Sequence, residues 1–522
     1  MPERPVVIGV DSSTQSTKAA VVDAETGALL AVGRAPHTVT GTGGARESDP
    51  EAWWAALGQA VAAALKEAAV PPAAVTAIAV AGQQHGLVTL DAAGRPLRPA
   101  LLWNDTRSAP QATALTTALG GPRAWLARTG SVPVAAVTAA KWRWLRDHEP
   151  ATAARTAAVR LPHDFLTERL CGEAVTDPGD ASGTGWYATG ANTAEPRQPA
   201  TPEPARPAPH TENPAPGPAA PPTAYDRGIL DLLGLDPAQL PAVAPTGGTR
   251  VGTLTRAAAE ALGLPPGVAV AAGTGDNMAA AVGLGLGAGG LLDHPVVSLG
   301  TSGTVFAATR TRPASPGISG FAATDGTYLP LGCTLNCTLA IDRIAGLLDL
   351  DRESAVPGEG LVLLPYLDGE RTPDLPHATG LLTGLTHATT APALLGAAYE
   401  GAVFTVLRAL DELLATCGLD PAEPAVRDRP LRLIGGGARG RAWTETVRRL
   451  SGRPLVVPAA TELVALGAAA LAAAAATGTD PVALAGRWGT GEGVTLDPVE
   501  RDEETWTRIE KVLSQAAPTL LA

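Results

Sequence analysis

Twice along the chain, an apolar run suited to a β-strand enters a bend of small and hydroxyl-bearing residues and leaves as a second apolar strand. The first unit is Val6–Val22, VVIGVDSSTQSTKAAVV, with strands expected at Val6–Val10 and Ala19–Val22. The second is Val296–Phe306, VVSLGTSGTVF. Tight hairpins ordinarily turn on Asn-Gly, Asp-Gly or Gly-X, because they need positive φ. These bends offer hydroxyls and backbone N–H groups instead. Such groups converging on a turn can hold phosphate oxygens, and a carboxylate at the mouth, Asp11, can hold a magnesium ion or its water shell. A solvated polar turn would explain either unit alone. Their recurrence at the head of each half points to one architectural unit used twice, and so to an α/β protein of two similar domains.

The 522 residues suffice for two cores, and the expected division is 1–288 and 289–522. A formal net charge of −12 argues against nucleic acid as a partner, since a phosphate backbone is bound by a basic surface. No membrane surface is indicated. Residues 1–11 lack the apolar stretch of a signal peptide. The strongest apolar run, Val464–Ala476, is alanine-rich and too short to span a bilayer, so it reads as a buried helix. Cys171, Cys333, Cys337 and Cys417 are too scattered for a disulfide framework and point to a reducing cytoplasm. Cys333 and Cys337 have the spacing of one helix face, but no further ligand completes a zinc set, and two core thiols are expected.

Several strands end in polar tips, the usual place for ligand loops in α/β proteins. Val75–Ala81 delivers Gly82-Gln83-Gln84-His85-Gly86, and Leu101-Leu102 delivers Trp103-Asn104-Asp105. Val268–Ala272 delivers Gly273-Thr274-Gly275-Asp276-Asn277, and Leu431–Ile434 delivers Gly435-Gly436-Gly437-Ala438-Arg439-Gly440. Ser48-Asp49-Pro50-Glu51 matches a capping box opening a helix to about Ala69. The stretch 190–224 breaks this rhythm with eleven prolines and almost nothing bulky and apolar. It reads as a disordered or polyproline-like surface insertion.

A Walker A loop is excluded, because none of the four lysines follows a glycine. Gly435-x-Gly437-x-x-Gly440 imitates a dinucleotide fingerprint, yet the next strand, Leu455-Val456-Val457, ends in Pro458 where an acidic residue would hold a ribose. The same glycine run suits the adenine and ribose of ATP. Two phosphate-type hairpins and one nucleoside-type turn describe a cleft with ATP between domains. A kinase of this kind needs a base for the accepting hydroxyl, and Asp276, with Asn277 beside it, holds that position. The sequence TGDN equally permits Asp276 to be a helix N-cap.

The motifs in order, GVDSSTQSTK, ESDPEAWW, AGQQHG, LLWNDTRS, KWRWL, LPHDFLTERLCGEAVTDPGDASGT, GTGDNMAAAVGLG, SLGTSG, LPYLDGERTP and IGGGARG, resemble those of the FGGY family of carbohydrate kinases, and most closely its members acting on D-xylulose. The resemblance runs from Val7 to about Ala475 apart from the proline-rich stretch. It implies two RNase-H-like (actin-like ATPase) domains with ATP and sugar in the interdomain cleft, and transfer from ATP, with Mg2+, to D-xylulose. By resemblance Asp276 is the general base and Asp11 places the metal and the γ-phosphate. Thr14 and Gln15 lie beside the phosphates, Gly300, Thr301 and Gly303 form the second phosphate loop, and Gly436, Gly437 and Ala438 flank the nucleoside. Gln84 and His85 stand at the ketose, with Trp103, Asp105 and Asn277 nearby. The resemblance also admits a homodimer. Departures are Gln84 for a methionine of some members, His163 for a common lysine, and no basic residue before Gly380. A sibling activity on ribulose, gluconate or another polyol fits the same motifs, as does a non-catalytic sugar or nucleotide sensor.

Overall fold

The computed structural model describes residues 4–189, 225–287, 291–313, 315–375 and 377–518. The proline-rich stretch 190–224 and residues 288–290, at the expected division, lie outside the described residues.

Two mixed sheets organise the rest. The first contains β1 (Val6–Ser12), β2 (Ser16–Asp23), β3 (Leu29–Pro36), β4 (Val75–Gly82), β5 (Arg250–Thr253), β6 (Ala269–Ala271) and the short β7 (Thr274–Gly275). The second contains β8 (Val296–Leu299), β9 (Gly303–Phe306), β10 (Ser319–Ala322), β11 (Tyr328–Thr334), β12 (Leu431–Ile434), β13 (Leu455–Pro458) and β14 (Gly493–Leu496). In the first, the order β3-β2-β1-β4-β6-β5 is an antiparallel meander, two strands parallel to β1, and an antiparallel edge. The second repeats it as β11-β9-β8-β12-β13-β14, with β10 added outside β11. The recurrent hairpin of the sequence is therefore the first hairpin of each sheet.

Seven helices frame the sheets near the site: α1 (Pro50–Ala68), α2 (Pro162–Cys171), α3 (Pro178–Ala181), α4 (Asp276–Gly283), α5 (Thr338–Leu348), α6 (Ala391–Thr416) and α7 (Leu463–Thr477). Helix α1 buries Trp53, Leu57 and Val61 against the outer face of the first sheet. Its cap is one residue later than the capping box predicts. Because Pro50 opens the helix, Asp49 precedes it and accepts from Glu51 N at 3.0 Å. Ser48 instead accepts from Trp53 Nε1 and donates to Thr38 O, both at 2.9 Å. Helix α6 is long and apolar enough to cross a membrane, but 89% of its most apolar stretch is buried in the second core. Cys333 lies in β11 and Cys337 just before α5, so the two thiols share no helix face. Cys337 is buried and Cys333 half-buried.

Helices α4 and α7 exchange sheets. Helix α7, late in the chain, packs its alanines on Val7, Ala20, Ala79 and Ala271 of the first sheet. Helix α4, from the first half, packs Met278 and Ala281 against Val296, Phe306 and Leu331 of the second. The contacts are backbone-close. A Cβ on Gly9 would stand 1.9 Å from Ala465 O, and one on Gly467 would stand 1.8 Å from Ala279 O. Only small residues permit that approach, which is why a run of alanines with one glycine sits here.

Candidate active site

Strand register brings the polar tips together. Asp11 on β1 is opposite Ala81 on β4, which is opposite Thr274 on β7; Ser12, Gly82 and Gly275 form the next row. Asp11, the loop from Gln83 to His85, and Asp276 therefore leave one sheet at the carboxyl ends of adjacent parallel strands, where α/β proteins bind ligands.

Asp276 is the first residue of α4, and Gly275 is its N-cap. The N-cap alternative for Asp276 is thus displaced by one residue. Its Oδ1 accepts from Asn277 N at 2.8 Å and from Asn277 Nδ2 at 3.1 Å. Asn277 Nδ2 also donates to Gln84 Oε1 at 2.8 Å, tying the base candidate to the next strand's loop. Burial, together with the charges of Asp11 and Asp180, pushes the Asp276 carboxyl up to about 7. A carboxylate so tuned can accept a proton near neutrality.

Asp11 is buried at the mouth of the first hairpin. Ser13 Oγ donates to its Oδ1 at 2.6 Å, and Lys18 Nζ stands 3.6 Å from Oδ2 and 2.7 Å from Glu462 Oε2. Burial holds the Asp11 carboxyl above its ordinary value even against Ser13 and Lys18. That under-compensated carboxylate is the kind a hard cation stabilises. Among the described residues no cluster of three or more metal-ligating side chains exists.

At the hairpin tip, Thr14 Oγ1 accepts from Trp103 Nε1 at 3.0 Å, and Gln15 is exposed. Trp103 is 38% exposed, and its Nε1 bond places it beside the hairpin tip. Asp105 is different. Both its oxygens are engaged by Arg107 and by the N–H groups of Arg46 and Arg107, and it is 1% exposed. Burial alone would raise its carboxyl, but these partners outweigh it and hold it below the ordinary value. It shapes the loop and leaves no free oxygen for a ligand.

His85 has φ +64° and places Nδ1 2.8 Å from Gly183 O. A carbonyl only accepts, so Nδ1 carries the proton and Nε2 keeps its lone pair. Burial, with the nearby charges of Lys141 and Arg371, lowers this imidazole to about 3, so it is neutral.

The second hairpin and the glycine run make one surface. Gly300 O accepts from Thr338 N at 3.1 Å and Thr338 Oγ1 at 2.8 Å, while Thr301 is exposed at the tip. Gly303 begins β9 opposite Leu299. Gly435 has φ +88°, and a Cβ there would lie 2.6 Å from Leu299 O. A Cβ on Gly437 would meet Leu299 Cβ at 2.8 Å. Gly436 is exposed with open space beside it, and Ala438 is buried.

Lys18 escaped the sequence reading, although an antiparallel hairpin around Ser13–Gln15 puts it directly opposite Asp11. A buried cluster behind Asp276 escaped it too. His163 Nδ1 is 2.7 Å from Asp180 Oδ2, and Nε2 is 3.3 Å from Asp164 Oδ1. Burial opposes its charge, but Asp164, Asp180 and Asp177 prevail and push the imidazole up to about 9. Asp177 accepts from Thr274 Oγ1 at 2.7 Å and so anchors the strand that carries Asp276.

The chain matches the model of the FGGY family of carbohydrate kinases, N-terminal domain, over residues 6–191 and 222–283, and that of the C-terminal domain over residues 296–476. It is 56% identical to the xylulose kinase of Streptomyces coelicolor over 99% of this chain and 98% of that one. It is 54% identical to the xylulose kinase of Streptomyces rubiginosus, with the same coverage. Among solved structures, it superposes on xylulose kinase from Bifidobacterium adolescentis with a TM-score of 0.75 at 32% identity, over 98% of this chain and 99% of that one.

Proposed function

The chain belongs to the FGGY family of carbohydrate kinases, and from that premise we propose that it transfers the γ-phosphoryl group of ATP to the terminal hydroxyl of D-xylulose, giving D-xylulose 5-phosphate. The observation that carries the mechanism is the register that sets Asp11 and Asp276 at the ends of the two parallel strands flanking β4, one beside a phosphate hairpin and one beside sugar-binding groups.

Asp276 accepts the proton of the sugar's terminal hydroxyl as its oxygen attacks the γ-phosphorus. Asn277 fixes the carboxylate through Oδ1 and leaves Oδ2 for the substrate. Gln84, neutral His85 and Trp103 orient the ketose, and Asp105 holds the loop of Trp103 through Arg46 and Arg107. Thr14 and Gln15 from the first hairpin, and Gly300, Thr301 and Gly303 from the second, face the phosphates from opposite domains. Gly436, Gly437 and Ala438 receive the nucleoside. Asp11 would hold magnesium, which neutralises phosphate charge when bound. Lys18, 3.6 Å from Asp11 Oδ2, favours its ionised form and so partly offsets the effect of burial. Closure of the two sheets on the substrates would exclude water, a competing phosphate acceptor.

A panel of D-xylulose, D-ribulose, gluconate and polyols in a coupled ADP-release assay tests the reading. D-xylulose should give the highest kcat/KM. A higher value on another acceptor would reassign the substrate, and binding without ADP release would make the chain a sensor.

A further inference from the structure

Behind Asp276 stands a buried pair, His163 of α2 and Asp180 of α3, packed on the turn that carries the base. A Cβ on Gly273 would lie 3.1 Å from His163 Cδ2, and one on Gly82, at the end of β4, would lie 2.8 Å from His163 N. A Cβ on Gly275, the N-cap of α4, would lie 3.0 Å from Asp180 Oδ1. One on Gly179 of α3 would lie 3.0 Å from Thr274 Oγ1 and 2.8 Å from Met278 Cγ. The chain is thus braced on either side of Asp276, and glycines permit the approach. The end of α3 also holds the sugar-side loop. Gly183 N donates to Asp180 O at 2.9 Å, and Gly183 O accepts from His85 Nδ1 at 2.8 Å. Ser182 Oγ accepts from Ala322 N of β10 at 3.0 Å, and Phe321 on that strand sets its ring 5.7 Å from the ring of His85.

The two carboxylates of this segment differ in how they are spent. Asp177, which caps α3, engages both oxygens: Oδ1 accepts from Asp180 N at 2.9 Å, and Oδ2 from Gly179 N at 3.1 Å and Thr274 Oγ1 at 2.7 Å. Asp180 engages only Oδ2, which accepts from His163 Nδ1 at 2.7 Å. Its Oδ1 is buried without a partner among the described residues, and that is the oxygen facing Gly275. A buried carboxylate oxygen with no donor is costly. A neutral side chain would brace the same turn without that cost.

What the charge does there is oppose the helix. The N-terminus of α4 and the N–H of Asn277 favour an ionised Asp276 and so weaken it as a base, whereas a nearby negative charge strengthens it. After burial, the charges that strengthen Asp276 are Asp11 on β1, itself near Lys18 of β2 and Glu462 before α7, and Asp180. Around His163 stand Asp164 on its own helix and Asp180 and Asp177 at α3. Resting on the kinase reading above, we propose that Asp180, paired with His163, is a positioning residue for Asp276: it braces the turn that carries the base, and its unpaired oxygen keeps that base a strong proton acceptor.

The test is the pH profile of ADP release with D-xylulose in wild type, Asp180→Asn, Asp180→Ser, His163→Lys and Asp164→Asn, with thermal melts to confirm folding. Asp180→Asn keeps the size and an acceptor for His163 and removes the charge. The acid limb of its kcat/KM should move down by about 0.5–1 pH unit, and kcat on the alkaline plateau should fall about two- to fivefold because the base is weaker. Its KM for ATP should stay within about twofold of wild type. Asp180→Ser should show the same displacement. His163→Lys keeps the cation, and Asp164 lies at the other ring nitrogen of His163, in a cavity with Thr176 and Tyr225. Both of those variants should keep the limb within about 0.3 unit of wild type. An unmoved limb in the Asp180 variants, an equal displacement in His163→Lys or Asp164→Asn, or loss of cooperative melting in both Asp180 variants would overturn the inference and leave the kinase reading intact. A wild type that releases no ADP with D-xylulose would overturn both.

Discussion

Replacing Asp276 with asparagine keeps its size and removes its basicity. The folded chain raises this carboxyl from 3.8 to about 7, roughly a thousandfold gain in proton affinity, chiefly through burial. A base matched to neutral pH contributes about 10²- to 10⁴-fold to proton transfer, equivalent to roughly 3–5 kcal/mol of barrier. Asp276→Asn should therefore lose at least about 10²-fold in kcat, with ATP affinity unchanged. In the wild type, kcat/KM should fall with pH below about 7, because the protonated carboxyl cannot accept a proton. Stability should move the other way. A carboxyl raised by folding contributes stability that is full below 3.8 and lost as pH rises through about 7. Asparagine carries no charge to bury, so the variant should melt about 1–3 °C above wild type at pH 8. That advantage should vanish near pH 4. Loss of activity with a raised Tm separates a missing base from a damaged fold. A variant with kcat within about threefold of wild type would refute the assignment.

Other sites separate by what they perturb. Asp11→Asn should lower kcat and raise the magnesium concentration for half-maximal rate, while sugar binding measured by calorimetry without ATP stays the same. His163→Gln should remove the cation from a cluster with Asp164, Asp177 and Asp180, costing about 3–5 kcal/mol as expected for breaking a buried pair. Because folding pushes His163 up to about 9, its contribution is full below pH 6.5 and lost as pH rises through 9. The wild-type Tm should thus decline between pH 7 and 10, and the variant should start lower and lack that decline. Gly435→Ala must fit a Cβ 2.6 Å from Leu299 O at φ +88°. It should raise the KM for ATP several-fold and leave the KM for sugar unchanged.

The hairpins and polar strand tips are legible in the sequence because each is local: residues a few positions apart define both strands and the bend. Asp276 and Asn277 are legible for the same reason, as polar residues between a strand and a helix. Asp105 shows the limit of that logic. A strand followed by a polar tip describes an open ligand contact and a buried ion pair equally well, and only the position of Arg107 distinguishes them. His163 and Asp180 lie on separate helices and meet through tertiary packing. Phe321 and Arg371 reach His85 only because the second sheet docks on the first, which no local pattern encodes.

Helices α4 and α7 explain why the site needs both halves. Asp276 opens α4, whose far side packs on the second sheet, and Glu462 precedes α7, whose alanines pack on the first. The close approach at Gly467 and Ala279 locks the two helices together. The Lys18–Glu462 contact at 2.7 Å then joins the first hairpin to the N-terminus of α7. Movement of one sheet against the other is thus passed to Asp276 through the backbone-close contact of α4 and α7, and to Asp11 through the side chains of Glu462 and Lys18. The run of alanines is accordingly part of the geometry of the candidate site: bulkier residues would bury more apolar surface per position, but they would separate α4 from α7 and Asp276 from the strand ends beside it.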